Sequence, residues 1–180
     1  MRTSYDVLRS LKRFGSVILG DDYEIHEAGD EGATARPMMM VKPTATATIS
    51  GPRHTMEYTQ PFALYAYPEP GETPYESLHV ASTVEEGLIT AFRIGGIGEG
   101  HPGRVPLYDY DSVGADEGSD ARNEPDYARL LDFNIERMQS VEDELLWTVT
   151  AEVRLGWYRS ALLLSGERTA QEVRIEIDES

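Results

Sequence analysis

The chain has 180 residues, with 16 Lys and Arg against 32 Asp and Glu, a formal charge of -16, 40% hydrophobic residues and no cysteine. That length suits one domain around a single core, burying roughly 70% of the unfolded surface, and without cysteine a disulfide scaffold, a thiolate zinc cluster and a cysteine nucleophile are excluded. The acidic balance argues against a nucleic-acid reader, which gains affinity by neutralising phosphates with Lys and Arg.

The longest apolar runs, residues 38–41 and 161–164, fall far short of the ~20 residues a membrane-spanning helix needs. Residues 1–20 alternate polar and apolar side chains where a signal peptide would need an uninterrupted apolar stretch. The expectation is a soluble, intracellular product with no membrane partner. Of the basic residues 14 are Arg, and only Lys12 and Lys42 are Lys. Dense acid with scarce lysine suits a protein working in multimolar salt, where the Debye length falls to about 3 Å at 1 M and self-repulsion is screened. A halophilic source is expected.

Residues 4–19 read as an amphipathic helix with Val7, Leu8, Leu11, Phe14, Ile18 and Leu19 on one face, Ser4 as N-cap and Gly20-Asp21-Asp22 as its end. Its polar side carries Arg9, Lys12 and Arg13. With Arg2 these make a net-positive stretch, read either as a solvated face near a helix C-terminus or as a contact for an acidic neighbouring subunit. Period two then takes over, and strands are predicted at 23–27, 37–42, 44–50 and 62–67. The segment 44–50 alternates Thr with Ala45, Ala47 and Ile49, which would lie against a core. Gly51-Pro52-Arg53-His54 reads as a turn or the tip of a longer loop. Tyr65, Tyr67 and Tyr75 are read as packing residues and not as a base-stacking surface, because no basic groups are interleaved with them.

Thr73-Pro74-Tyr75-Glu76 marks the start of a second helix: an N-cap Thr, Pro at the first helical position and Glu at the third. Apolar Leu78, Ala81, Val84, Leu88, Ile89 and Phe92 carry it to about Arg93, where Gly95, Gly96, Gly98, Gly100 and Gly103 stop it. Residues 105–110 read as a short strand and 111–126 as an exposed acidic loop. The strongest β signal is a long hairpin, 131–139 and 145–158, turning at 141–144. In its second strand Leu145, Trp147, Val149, Ala151, Val153, Leu155 and Trp157 recur at two-residue spacing, with Thr148, Thr150, Glu152 and Arg154 opposite. A last alternating strand is predicted at 172–177, after a loop around Gly166. No fixed-period repeat is visible.

Catalytic and metal-binding patterns fail on context. Gly98-Glu99-Gly100-His101-Pro102-Gly103 fits G-x-G-x-x-G but follows a helix, where a dinucleotide fingerprint needs a preceding strand. Asp109-Tyr110-Asp111 with Gly114 and Asp120 resembles a calcium loop, yet Val113 occupies a ligand position and no helices flank it. His26, His54, His79 and His101 show no metal-ligand spacing, and no G-x-S-x-G elbow occurs. Pairs such as Glu85-Glu86 follow from the composition. No catalytic, cofactor-binding or metal-binding residue is therefore assigned, and the chain is not expected to be an enzyme.

The element order that remains, taken over residues 5–19, 62–67 leading into 73–93, and 132–157, resembles the tail-terminator proteins of tailed viruses, the tail-completion proteins of the neck. Segment 28–60 and the tail beyond Ser160 depart from that pattern. The resemblance implies an α+β fold: a mostly antiparallel sheet, two main helices packed on it and a long C-terminal hairpin, as one domain over residues 1–180 with an exposed loop at 111–126. It implies a homohexameric ring in the virion neck, assembled in the host cytoplasm between the major tail tube protein and a head-tail connector or head-closure protein. DNA would only pass through the lumen, and no cofactor is implied. With the acidic composition, it points to a virus of halophilic archaea. Candidate partner contacts are the loop residues His54, Thr55, Met56, Glu57 and Tyr58, then Gly98, Glu99, His101 and Arg104, and the basic helix face Arg9, Lys12 and Arg13. Two other readings stand beside this one: a head-closure or stopper protein, and a small ligand-binding domain or enzyme whose pocket is bordered by 95–103 and the acidic loop.

The charge generates a direct prediction. Stability should fall as salt is withdrawn, because the repulsion among 16 excess negative charges is no longer screened. Thermal melts followed by circular dichroism from multimolar to low NaCl should show a falling midpoint; an unchanged midpoint would contradict it.

Overall fold

The computed structural model describes residues 3–27, 36–51, 57–97, 100–108 and 126–158. The sequence-predicted strand at 172–177, the acidic loop at 111–125 and the calcium-like segment lie outside these residues. The fold is α+β: two helices and one mostly antiparallel seven-stranded sheet.

The sheet is organised around one long pairing. Strand β4 (Glu57–Tyr67) and strand β7 (Trp147–Tyr158) run antiparallel from Glu57↔Tyr158 to Ala66↔Val149. On one face of this pair Phe62, Leu64 and Ala66 meet Val153, Ala151 and Val149, all essentially buried. Outside β4 lies β2 (Met38–Pro43), then β1 (Glu24–Glu27) parallel to β2; outside β7 lies β6 (Asp126–Gln139), then β5 (Arg104–Leu107). The three-residue β3 (Thr48–Ser50) also pairs with β4. Because β7 occupies one side of β4, β2 and β3 share the other, separated by a break after Pro43.

Pro61 lies at that break. A central strand normally excludes proline because it cannot donate to the ladder. Here the Pro61 carbonyl accepts from the Thr44 N–H at 3.0 Å, so its nitrogen faces the gap between β2 and β3, where no strand bond is lost. The Gln60 side-chain amide closes the gap by donating to the Ala45 carbonyl at 2.8 Å.

The helices cover one face. Helix α1 (Ser4–Leu19) packs over β5, β1 and β2, and α2 (Pro74–Ile89) over β7 and β6. Val7, Leu11 and Phe14 from α1 and Ala81, Val84 and Leu88 from α2 join Met39, Val41, Phe62, Leu64, Val153, Leu155 and Trp157 in one core. Phe14 meets Phe92 edge-on at 5.4 Å. The N-cap of α1 is Thr3 and not Ser4: its hydroxyl accepts from the Asp6 N–H, and the Asp6 carboxylate accepts from the Thr3 N–H at 2.6 Å, a capping box that satisfies two orphan amides. Ser10, fully buried, then ties α1 to the sheet end, donating to the Asp6 carbonyl at 2.7 Å and accepting from the Tyr108 N–H at 3.0 Å. Thr73, Pro74 and Glu76 start α2 as the sequence predicts, and the helix widens into a π-helical turn at Thr90–Ile94 before Gly95 adopts φ 76.

Several boundaries differ from the sequence reading. The predicted strand at 44–50 shrinks to β3, and Ile49 is 57% exposed, because β3 overhangs β2 and no helix reaches it. Strand β4 starts five residues earlier than 62, at Glu57, since β3 and β7 supply partners on both sides. Strand β6 begins at Asp126, inside the predicted loop, because β5 pairs with its first turn of residues. Of the two tryptophans expected in the core, Trp157 is buried, whereas Trp147, at the start of β7, is half-buried.

Replacing Trp157 with Ala should cost about 3–5 kcal/mol, and replacing Trp147 distinctly less. Ser10→Ala leaves the buried Tyr108 N–H without its acceptor and should cost about 1–3 kcal/mol. Denaturant unfolding at fixed high salt checks both; equal costs for the two tryptophans would contradict the burial difference.

Candidate functional site

Strand alternation decides what the face away from the helices presents. Register across the sheet places Lys42, Ala63, Glu152 and Asn134 in one row, and Met40, Tyr65, Thr150 and Glu136 in the next. Among the described residues no helix lies on this outer face, and Glu152, Arg154, Tyr158, Asn134, Glu136 and Met138 are exposed on it. Thr48 and Thr59 join hydroxyls across β3 and β4 at 2.5 Å. The tyrosines here are not bare. The Lys42 ammonium lies 4.8 Å from the Tyr65 ring centre and the Arg36 guanidinium 5.4 Å from that of Tyr67. The sequence gives no hint of these cation–π contacts, since Lys42 and Arg36 lie far from the tyrosines in the chain. Arg36 also donates to the Trp147 carbonyl at 2.9 Å and the Pro68 carbonyl at 3.2 Å, tying together the start of β7 and the end of β4.

At the opposite end of the same face Glu57 forms an ion pair with Arg129 across β7. Gly156 lies beneath it: a Cβ there would come within 2.7 Å of the Glu57 carboxylate and 3.0 Å of Leu131 Cδ1, so glycine leaves the room the bridge uses. The hydrogen bond from Arg129 to Glu57 raises the arginine pKa.

The hairpin of β6 and β7 forms an arm with a well-bonded tip. Ser140 donates to the Leu146 carbonyl at 2.8 Å, Leu146 to the Asp143 carbonyl at 3.0 Å, and the Gln139 side chain to the Glu144 carbonyl at 2.7 Å. Arg137 fastens the arm to α2, donating to Ser82 Oγ at 2.5 Å and Glu85 Oε2 at 2.7 Å. The arm also displays apolar side chains to solvent: Val141 is fully exposed at its tip and Met138 is 63% exposed.

The sequence-predicted contact residues divide. Glu57 and Tyr58 are not loop residues; they open β4, Glu57 held by Arg129 and Tyr58 stacked on Trp157 at 6.0 Å, because β7 draws the chain into the ladder there. Arg104 opens β5 and is exposed, and His101 packs edge-on against Tyr127 at 5.0 Å. His54, Thr55, Met56, Gly98 and Glu99 lie outside the described residues. On α1 the basic stripe is half-buried instead of plainly solvated: Arg13 stacks 4.0 Å over Tyr108, and Arg9 lies 5.8 Å from the Tyr5 ring. The G-x-G-x-x-G segment runs from a helix into β5, the wrong order for a dinucleotide loop.

A groove of about 380 Å³ opens between the end of α1 and α2, lined by Ile18, Tyr23, His79, Val80 and Thr83 among others. None of its lining comes from residues 95–103, where the rival reading expected a pocket. Burial first, then the Glu69 carboxylate, push the Tyr23 hydroxyl up to about 12, with Arg36 opposing. Among the described residues no three His, Asp or Glu side chains group as a metal site, and no helix is long and apolar enough to cross a membrane.

No protein-family model matches the chain, and no curated protein matches it. Among solved structures, the chain is similar to one from the virion of a native gene transfer agent particle, at 11% identity over 81% of this chain and 84% of that one, with a TM-score of 0.41. That likeness is too slight to assign a role.

The Tyr23 environment predicts an alkaline signature. Its folded pKa lies above the free value of 10.0, so its contribution to stability is level below pH 10 and is lost as pH rises from 10 towards 12. Ultraviolet titration of phenolate should show a late component that shrinks by one tyrosine in Tyr23→Phe; a late component unchanged by the substitution would contradict the assignment.

Proposed function

We propose that this chain is a structural subunit of a virion neck: a tail terminator whose homohexameric ring joins the tail tube to a head-side connector and lets DNA pass. The observation that carries this reading is the one-sided build of the described residues, with both helices on one sheet face and none on the other, beside an arm that exposes Met138 and Val141. Apolar side chains held out on a rigid, well-bonded hairpin are what a surface made to meet other subunits offers. The charge of -16 supports the passive relation to DNA, since a channel through which DNA slides should not grip phosphates. In the multimolar salt of a halophilic archaeal host, exposed ion pairs contribute little, so contacts with neighbours depend on burial and backbone pairing. The loops around His54 and Gly98, the exposed Arg104 and the α1 stripe of Arg9, Lys12 and Arg13 are the contacts proposed for the tail tube and connector rings.

Gold-labelled antibody raised against the chain should mark the head–tail junction of particles from the virus that encodes it, and the purified protein should show negligible affinity for duplex DNA even at low ionic strength. Label confined to the host cytosol, or DNA binding that rises steeply as salt is lowered, would overturn the reading.

A further inference from the structure

Strand β6 runs from Asp126 to Gln139, but β5 pairs only with its beginning, Asp126 to Arg129. Beyond the bulge at Leu131, one side of β6 is bonded to β7 and the other meets no strand among the described residues. The hairpin turn fixes which backbone groups point that way. Ser140 donates to the Leu146 carbonyl, so counting back by twos, Met138, Glu136, Asn134 and Asp132 exchange bonds with β7. Phe133, Ile135, Arg137 and Gln139 therefore turn their N–H and C=O groups outward. Phe133 has local partners, its N–H donating to Asp132 Oδ1 at 3.0 Å and its carbonyl accepting from Arg93 at 3.4 Å. For Ile135, Arg137 and Gln139 the outward groups have no strand partner among the described residues.

We infer that this edge pairs with the same edge of a second copy, antiparallel about a two-fold axis at Ile135. Length argues for a second β6. Among the described residues the other edge strands, β1 with four residues, β3 with three and β5 with four, are too short to cover it. Pro106 further blunts β5.

Among two-fold axes at residues 134–137, the apolar Ile135 self-contact and the charge pattern together favour one register. With the axis at Ile135, that side chain meets its own copy, Asn134 lies opposite Glu136, Phe133 opposite Arg137 and Asp132 opposite Met138, so no like charges face each other. Moving the axis to Glu136 or Arg137 sets two identical charges face to face, and moving it to Asn134 sets Asp132 against Glu136; like charges directly opposite are destabilising.

The contact belongs to the free chain and does not depend on the neck reading. A ring on the polar axis of a tail has no such two-fold, so the β6 edges would separate on assembly, and either proposal can fail alone.

The absence of cysteine makes the test clean. In the full chain at high salt, Ile135→Cys should give a disulfide-linked dimer under mild oxidation, because two-fold related residues face each other at bonding distance. Gln139→Cys should remain unlinked, since its copy lies about 26 Å along the paired strand. Independently of any variant, hydrogen exchange at the Ile135 and Arg137 amides should slow as protein concentration rises. Equal cross-linking of both variants, or exchange at these amides that is independent of concentration, whether fast or already protected by another part of the chain, would overturn the inference.

Discussion

The antiparallel pairing of β4 with β7 is the constraint on which the rest of this structure depends. It is long, central, and apolar on one face only, so it fixes on which face of the sheet both helices lie. A slip of β7 by one residue against β4 would turn Val153 and Leu155 to solvent and bring Glu152 and Arg154 under the helices. The apolar burial on the helix side sets the register, and the helices then complete a two-layer α+β core. Other local features follow from it: Pro61 is tolerated because its nitrogen faces the break between β2 and β3, and Gly156 leaves space for the Glu57–Arg129 bridge to cross β7.

The same pairing explains why the outer face has the character it does. Its rows mix charged and polar side chains with small ones that long neighbours cover, so that Ala63, between Lys42 and Glu152, is fully buried with no helix above it among the described residues. In an acidic chain such a face stays soluble while keeping patches of burial. The arm carries this organisation outward, with Arg137 holding it to α2 and the tip locked by its own hydrogen bonds. Such a surface fits a subunit that works through contacts with other subunits.

Much of this was legible in the sequence where periodicity is strong and local. The two helices could be read from apolar spacing and from the Thr73-Pro74-Glu76 cap, and β7 from its unbroken alternation. What could not be read depends on partners distant in the chain. Glu57 to Gln60 has strand-favouring Tyr58 and Thr59 but no apolar alternation to extend the strand read at 62–67, and it is a strand because β7 and β3 flank it. Residues 44–50 alternate well, yet only the last three form a strand, since the break at Pro43 separates them from β2. Within the candidate site, the hairpin was visible but its open edge was not, because that edge exists only by virtue of β5 being four residues long. The stacking of Lys42 on Tyr65 and Arg36 on Tyr67 likewise arises from sheet order alone.

The central claim is that the outer face and the arm are the working surfaces. Hydroxyl-radical footprinting of the isolated chain and of the chain within purified particles tests it most directly. The account predicts that Met138, Tyr158 and Leu131 are oxidised readily in the isolated chain and protected in the particle, while Trp157 and Phe62 stay protected in both. Equal oxidation of the outer-face residues in the two states would contradict it.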